Sequence, residues 1–157
     1  MIVISDTSPL LVLEKIGHLG ILPLLYGEVV IPAEVELELR DKAHAAAGAA
    51  IFAACGAWLR VCAAESTEPI AGLDPGEAAA IALARELGAD LLLIDEKFGR
   101  RVAMECGLAI RGTVGVLEEA ASRKLIDLSE AFERLKTTDF RISAEFLDAR
   151  LRLLDDV

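Results

Sequence analysis

The run IVISD, residues 2–6, places an aspartate directly after four uncharged residues. A second run, LLLID at residues 91–95, repeats the arrangement. Neither run alternates polar with apolar residues, which is typical of strands covered on both faces in a parallel sheet. Three weaker strand candidates lie at residues 28–32, 58–62 and 108–112. We therefore predict a central, mainly parallel sheet of four to five strands.

Helical patterns separate these strands. They cover residues 9–19, 33–42, 45–57, 75–87, 99–106 and 114–123. Gly88 and Gly107 stand where a glycine commonly ends a helix just before the next strand. Strands that alternate with helices in this way predict an α/β fold with right-handed crossovers, arranged as a three-layer α/β/α sandwich.

Length and composition favour a single domain over residues 1–157. The chain has 157 residues, of which 54% are hydrophobic, enough for a sizeable core. We find no linker, repeat or low-complexity tract that would divide it. Residues 127–157 are helical and charged, with an apolar side that includes Phe132, Leu135 and Phe140. We expect this C-terminal helical extension to pack on the body or on a partner.

Charge and cysteine content restrict the partners and the compartment. The chain carries 16 Lys and Arg against 26 Asp and Glu, a net charge of −10 that repels nucleic acid unless a metal ion or a local basic patch intervenes. Cys55, Cys62 and Cys106 lack metal-ligand spacing and are typical of reduced thiols in a cytosolic protein. Asp6 comes too early for a signal peptide, and the uncharged residues 45–59 are too few to cross a membrane and predict a buried helix. We predict a cytoplasmic protein with no membrane segment.

Acidic side chains gather at one edge of the predicted sheet. Ligands of parallel α/β sheets lie beyond the carboxyl ends of the strands, where Asp6 and Asp95 are placed. Glu77 belongs to LDPGEAAAIALA, residues 73–84, which begins a helix at the same edge. Asp74 is a good N-cap and Glu77 completes a capping box, a role that is compatible with membership of a site.

The fourth acid remains open among three glutamates of one predicted helix. Glu38 lies within two turns of the start of the helix that follows the second strand, within reach of the same edge. Glu34 and Glu36 are its alternatives, and all three also fit a solvated helix face. Asp6 and Asp95 taken singly fit helix caps as well, but together they favour a site.

Four carboxylates in one cleft would take up protons unless a cation lay among them. Oxygen ligands without His or Cys suit Mg²⁺ or Mn²⁺, and such sites commonly act on phosphate esters by activating water. His18 and His44 lie in helical or turn surroundings and are interpreted as surface residues. The hydroxyl groups of Thr7, Ser8 and Thr113 are placed to bind a carboxylate, a water molecule or a phosphate.

Five motifs resemble, in order and spacing, those of the PIN-domain nucleases: VISDTSPL, VVIPAEVELEL, LDPGEAAAIALA, LLLIDEKFGRRVA and IRGTVGVLEEA. The similarity extends from residue 2 to about residue 126 and is greatest to the branch related to the VapC-type toxins of prokaryotic toxin–antitoxin pairs. The resemblance implies a PIN-like fold and a metal-dependent endoribonuclease. Its acidic quartet would be Asp6, Glu38, Glu77 and Asp95, with Thr113 as the hydroxyl after the last strand.

The resemblance also implies partners and leaves the number of ions open. A small antitoxin would block the acidic cleft, and a homodimer would form through helices of the N-terminal half, with Leu11, Leu19 and Leu22 as candidate contacts. Glu77 stands where many relatives carry Asp, and GTVGVL replaces an additional downstream Asp, so one or two ions are compatible with the motifs.

Basic residues after Asp95 offer a rim for an RNA substrate. Lys97, Arg100 and Arg101 follow this acid directly, although salt bridges on a helix surface explain them as well, Arg101 above all. Arg111 is a further candidate for phosphate contact.

Other α/β enzymes fit less well. A haloacid dehalogenase-type phosphatase needs a second Asp where Ser8 stands. A response-regulator receiver needs paired acids after the first strand, and a dinucleotide-binding domain needs glycines there, which SDTSPL lacks. The remaining alternative is a catalytically silent PIN-like domain that acts as a protein-binding module.

Overall fold

The computed structural model describes residues 1–155 and has a parallel five-stranded sheet at its centre. The strands are β1 (Val3–Ser5), β2 (Val29–Ile31), β3 (Leu59–Val61), β4 (Leu91–Leu93) and β5 (Ile110–Arg111). Their order across the sheet is β3-β2-β1-β4-β5, and every neighbouring pair is parallel. The predicted sheet is confirmed, and each predicted strand position contains a strand.

Helices fill the connections between the strands and follow the last strand. They are α1 (Thr7–Lys15), α2 (Ile21–Tyr26), α3 (Ala33–Arg40), α4 (Ala45–Cys55), α5 (Pro75–Leu87), α6 (Lys97–Glu105), α7 (Thr113–Ser122), α8 (Leu128–Lys136) and α9 (Ala144–Asp155). A short 3-10 turn, Lys42–His44, precedes α4. Among the described residues, no helix combines the length and the apolar character needed to cross a bilayer.

The helix predicted over residues 9–19 is wrong in its extent. The structure ends α1 at Lys15 and begins a separate helix, α2, at Ile21. Gly17 lies between them with φ +76°, a left-handed conformation that interrupts a helix and that glycine adopts at little cost. Pro23 is compatible with α2 because it lies in the first turn, where the amide has no partner within the helix.

Alternate residues of the central strands face two apolar cores. Val3 and Leu93 pack in one cluster, whereas Ile4 and Leu92 pack in the other. Side chains of a strand point alternately to the two faces of the sheet, so helices must cover both faces. The predicted three-layer arrangement is thereby confirmed.

Helix α4 differs from the buried helix that its apolar composition predicts. Only Gly48, Ile51 and Cys55 are buried, and most of its alanines face outward. A Cβ atom at Gly48 would lie 1.7 Å from the carbonyl oxygen of Leu39, so the missing side chain lets α4 approach α3 closely. Alanine is a strong helix former that tolerates exposure, and its abundance here reflects helix propensity more than burial.

The C-terminal helices pack against the rest of the chain. Phe132 and Leu135 of α8 and Leu147 of α9 are fully buried in one of the two cores. The guanidinium of Arg134 donates a hydrogen bond of 2.9 Å to the carbonyl oxygen of Ile16. The last two residues of the predicted extension, 156 and 157, lie outside the described part of the chain.

Candidate metal centre

Sheet topology brings the first and last predicted acids together. Strands β1 and β4 are neighbours, and the chain leaves β1 towards β2 on one side and reaches β4 on the other. A crevice for ligands forms where the strand order reverses in this way. The amide of Asp6 donates a 2.9 Å hydrogen bond to the carbonyl oxygen of Leu93, and Asp95 follows two residues later.

Asp6 is a buried carboxylate with an unsatisfied oxygen. Its side chain is 3% exposed, and Oδ1 has no hydrogen-bond partner among the described residues. The pKa of Asp6 is raised to about 7, mainly by burial. The Thr7 amide lowers this pKa, and the negative charges of Asp74, Glu38 and Asp95 contribute to raising it. Buried polar atoms are nearly always paired, so this oxygen is available to a cation.

Asp95 is held by three hydrogen bonds. Thr113 donates to it twice, from its amide to Oδ1 and from its hydroxyl to Oδ2, each at 2.7 Å. The Ser8 hydroxyl lies 3.3 Å from Oδ2. Burial raises the pKa of Asp95, whereas the bonds from Thr113 and Ser8 lower it. Two of the three predicted hydroxyl residues, Ser8 and Thr113, therefore orient this carboxylate.

Glu38 joins α3 to α5 at the cleft. Its Oε2 accepts a hydrogen bond from the Thr7 hydroxyl, and its Oε1 accepts one of 3.0 Å from the Gly76 amide. A Cβ atom at Gly76 would lie 2.4 Å from Oε1, so only glycine leaves room for this contact. Burial is the main cause that raises the pKa of Glu38. Its sequence alternatives, Glu34 and Glu36, do not line the cleft.

Glu77 lies in the first turn of α5 and is 7% exposed. Its amide donates a hydrogen bond of 2.8 Å to Asp74 Oδ1, which confirms that Asp74 is the N-cap. Helix α5 also has the predicted bounds, Pro75–Leu87. Its carboxylate faces α6, where a Cβ atom at Gly99 would lie 3.2 Å from Oε2. Burial raises the pKa of Glu77 to about 8, with contributions from Asp74 and Asp6.

Asp74, predicted only as a helix cap, also lines the cleft. One carboxylate oxygen from each of Asp6, Glu38 and Asp74 lies within 4.8 Å of the others. The signal was present in LDPGE, because a cap residue at this edge stands beside the first turn of its helix. Asp74 can cap the helix and face the cleft at the same time, because its carboxylate has two oxygens.

The five acids line one cleft of about 1100 Å³. Its lining also contains two further acids, Glu96 and Asp139, and the basic residues Lys15, Lys42, His44, Lys97 and Arg141. Lys15 is paired with Asp139. Of the basic residues, only Lys97 was predicted to border the cleft. His44, predicted as a surface residue in helical or turn surroundings, lies in the turn before α4 and lines the cleft. His18 is half-buried near Arg134 and lies elsewhere.

The other predicted basic residues have different surroundings. Arg100 donates a hydrogen bond of 2.9 Å to the carbonyl oxygen of Ile94. It lines a second, smaller cleft that adjoins the first. Arg101 is exposed, lies over the Phe98 ring and faces Glu105, as expected for a surface salt bridge. Arg111 is paired with Glu119 and lines the adjoining cleft.

The sequence of residues 2–156 matches the family model DUF3368, which is described as a PIN domain. The chain belongs to the PIN-domain family. A similar solved structure is a PilT N-terminus domain protein from the hyperthermophilic archaeon Sulfolobus solfataricus P2. It is 22% identical to this PIN domain, with a TM-score of 0.57 over 76% of this chain and 93% of that one. This likeness concerns the fold. A search of curated proteins found no significant match.

The residues of this PIN domain fit a divalent metal ion. The ligand atoms are carboxylate oxygens, which suit Mg²⁺ and Mn²⁺. Asp6 Oδ1 is buried and unpaired within residues 1–155, and oxygens of Glu38 and Asp74 are close to the same carboxylate. The raised pKa values of Asp6 and Glu77 arise from burial and from neighbouring acids, two effects that a cation would offset.

Proposed function

We propose that this PIN domain is a metal-dependent endoribonuclease that hydrolyses RNA phosphodiester bonds. The observation that carries the proposal is the buried, unpaired oxygen of Asp6 beside Glu38 and Asp74 at the carboxyl end of the sheet. Membership of the PIN-domain family supports a nuclease. The resemblance to VapC-type toxins supports RNA as the substrate.

In this proposal Asp6, Glu38, Glu77 and Asp95 hold Mg²⁺ or Mn²⁺, and Asp74 adds a fifth carboxylate. When bound, such an ion polarises a phosphate and lowers the pKa of a water molecule. The hydroxyls of Thr113 and Ser8 fix Asp95, and that of Thr7 fixes Glu38. Lys42, Lys97 and Arg141 of the cleft lining would contact the phosphates of the substrate.

We further propose that the enzyme is the toxin of a toxin–antitoxin pair and acts in the cytoplasm. A small antitoxin would cover the open cleft of about 1100 Å³. The three cysteines are free thiols, as in proteins of a reducing compartment. Support for the toxin role comes from the resemblance to the VapC-type branch.

We also propose a homodimer through helices of the N-terminal half. Its contacts would differ from the predicted ones, Leu11, Leu19 and Leu22. Leu19 and Leu22 are buried in the core, and Leu11 lines the cleft, so none of the three is an exposed apolar contact. Leu24 on α2 and Leu37 on α3 are 65% and 70% exposed and are available to a second subunit.

One experiment tests the enzymatic proposal against the silent protein-binding alternative. Thermal unfolding is followed during titration with Mg²⁺ or Mn²⁺, together with cleavage of cellular RNA, for the wild type, Asp6→Asn and Glu36→Gln. Glu36→Gln removes one charge from the same helix as Glu38 without touching the cleft.

We expect metal to raise the Tm of the wild type and of Glu36→Gln, and both proteins to cleave RNA. We expect Asp6→Asn to lose the metal-induced shift in Tm. Its cleavage rate should fall by about 100-fold or more. A wild type that responds to neither metal would support the silent module. Cleavage that persists in EDTA would contradict a metal-dependent mechanism. Sequencing of the RNA fragments identifies the target.

A further inference from the structure

A second cleft adjoins the acidic centre. It has a volume of about 430 Å³ and lies among α6, β5, α7 and the segment from α8 into α9. Asp95, Phe140 and Arg141 line both clefts, so the two are continuous. Asp95 and Arg141, which also line the main cleft, are the only residues of the second cleft that the proposed function uses.

Arginines dominate the charge of the second cleft. Arg100, Arg111, Arg141 and Arg150 line it against two acids, Asp95 and Glu118. Such a concentration of positive charge is unusual in a chain with a net charge of −10. Guanidinium groups beside the acidic centre suit an anionic ligand.

Two of these arginines make no ion pair with any described residue, although Arg100 lies near Asp95 and lowers its pKa. Arg150 is bound by Glu118 through both carboxylate oxygens, and Arg111 is paired with Glu119. Within residues 1–155, neither Arg100 nor Arg141 has a carboxylate oxygen within 4.0 Å of its guanidinium nitrogens. Their charges remain available to a ligand, and arginine suits phosphate oxygens in particular.

Arg100 connects the second cleft to the acidic centre. A Cβ atom at Gly112 would lie 2.8 Å from Arg100 Nη1 and 3.0 Å from Asp95 Oδ1. The absent side chain therefore leaves both groups facing the same small space. A phosphate next to the one held at the acidic centre would reach the guanidinium of Arg100.

Aromatic side chains complete the cleft. Phe146 lines it and is 48% exposed, and Phe140 is half-buried at its junction with the main cleft. Exposed aromatic rings beside arginines are typical of sites for single-stranded nucleic acid, in which bases stack on the rings while the cations contact the backbone. An acidic peptide would use the cations but would not need the ring of Phe146.

We propose that the second cleft binds the single-stranded segment of RNA adjacent to the scissile phosphate. Arg141 and Arg100 contact its phosphates, and Phe146 stacks on a base. This inference rests on the proposed ribonuclease function and assigns the path that its substrate follows away from the acidic centre.

The test compares Arg141→Glu and Phe146→Ala with the control Arg60→Glu in the full chain. Arg60 is exposed on the edge strand β3, lines neither cleft and gives the same change of net charge as Arg141. Binding of a fluorescein-labelled single-stranded RNA of about 12 nucleotides is measured in EDTA over a range of salt concentrations. Steady-state cleavage is measured separately with Mg²⁺.

We expect Arg141→Glu to raise Kd and KM about tenfold and to reduce the salt slope of log Kd by about 0.7 per lost phosphate contact. We expect Phe146→Ala to raise Kd about fivefold with an unchanged salt slope, because stacking carries no charge. The kcat at saturating RNA should stay within about twofold of the wild type, since neither residue belongs to the acidic centre. Arg60→Glu should match the wild type.

Failure of this inference is distinct from failure of the proposed function. If both cleft variants bind RNA like the wild type while Mg²⁺-dependent cleavage continues, the second cleft is not the RNA path and the ribonuclease proposal stands. An equal loss of RNA binding in Arg60→Glu would show that the effect of Arg141→Glu comes from the change in net charge alone, and would overturn the inference. A wild type that binds the RNA through Arg141 and Phe146 but does not cleave it would contradict only the ribonuclease proposal.

Discussion

Asp6 and Asp95 each had a structural explanation as helix caps, and their hydrogen bonds argue against it. Asp6 occupies the N-cap position of α1 but makes no side-chain capping bond. The N-cap of α6 is Glu96, whereas Asp95 accepts its bonds from Thr113, 18 residues further along the chain. Asp95 thereby stabilises the start of α7, whose first residue is Thr113. The buried Asp6 stabilises no helix end and costs folding free energy, so a second role is needed to account for Asp6.

Asp6 should make the metal-free protein less stable as pH rises. Its folded pKa of about 7 exceeds the ordinary aspartate value of about 3.9, so the folded state binds the proton more tightly than the unfolded state. Stability from this group is therefore fully present below about pH 4 and is lost as pH rises towards about 7. In EDTA, Asp6→Asn should be more stable than the wild type by up to about 4 kcal/mol at about pH 8, and by much less at about pH 5.

Thermal and urea unfolding at both pH values measure this difference. Glu36→Gln serves as the control, because Glu36 is paired with Arg40 away from the cleft. A wild type that gains stability relative to Asp6→Asn between the lower and the higher pH would contradict the assignment of a raised pKa to Asp6.

Thr113 should act on catalysis through the orientation of Asp95. Thr113→Val removes the hydroxyl bond of 2.7 Å to Oδ2 and keeps the volume of the side chain and the amide bond to Oδ1. We expect a loss of about tenfold in metal affinity or in kcat, and about 1 kcal/mol of stability. Thr113→Ser keeps the hydroxyl and should retain most of the activity. Equal activities for the two variants would argue against this positioning role.

At the scale of elements, the sequence predicted the helices and strands whose position depends on residues close together in the chain. Strands β1 and β4 could be found because both faces are covered and the runs are uniformly apolar, and α5 because Asp74, Pro75 and Gly88 mark its ends. Helix α2 was missed because its sequence, ILPLLY, contains a proline and is too short for a helical period. Its helical state depends on burial of Ile21 and other apolar side chains in the core.

Helices α3 and α5 pack closely where Gly76 of α5 contacts the carboxylate of Glu38 of α3. Gly76→Ala suits a helix by propensity, yet its methyl group would lie 2.4 Å from Glu38 Oε1 and would displace that carboxylate. We expect the variant to fold with Tm close to the wild type and to lose most of the metal-induced Tm shift. Gly20→Ala, where nothing lies within 4 Å, should leave the shift unchanged. A full metal response in Gly76→Ala would show that Glu38 is not needed for the ion.

At the scale of the whole molecule, tertiary packing decides which charges surround the acids. Lys15, His44 and Arg141 lie far apart in the sequence and meet only because α1, the turn before α4 and the segment before α9 border one cleft. No local pattern distinguishes these cations from others on the surface. The acids could be placed from the sequence because sheet edges follow from topology, whereas the rim depends on how helices pack.

Protons and a metal ion compete for the same oxygens across this acidic centre, so metal affinity should depend on pH. In the metal-free protein the pKa of Asp6 is about 7 and that of Glu77 is about 8. Near neutral pH both acids carry a proton for much of the time, and an ion must displace it. The apparent Kd for Mn²⁺ should therefore fall as pH rises from about 6 to about 8, by about tenfold per pH unit for each proton displaced.

Calorimetric titration in buffers of different ionisation enthalpy counts the protons released by Mn²⁺. Asp6 and Glu77 together should release more than one proton at about pH 6.5 and fewer at about pH 8.5, because both are then largely ionised before the ion arrives. Glu36→Gln should release the same number as the wild type, since its substitution lies outside the cleft. A constant affinity over this range, or binding without proton release, would mean that the ion does not bind to Asp6 and Glu77. The centre would then have to be assigned to other oxygens.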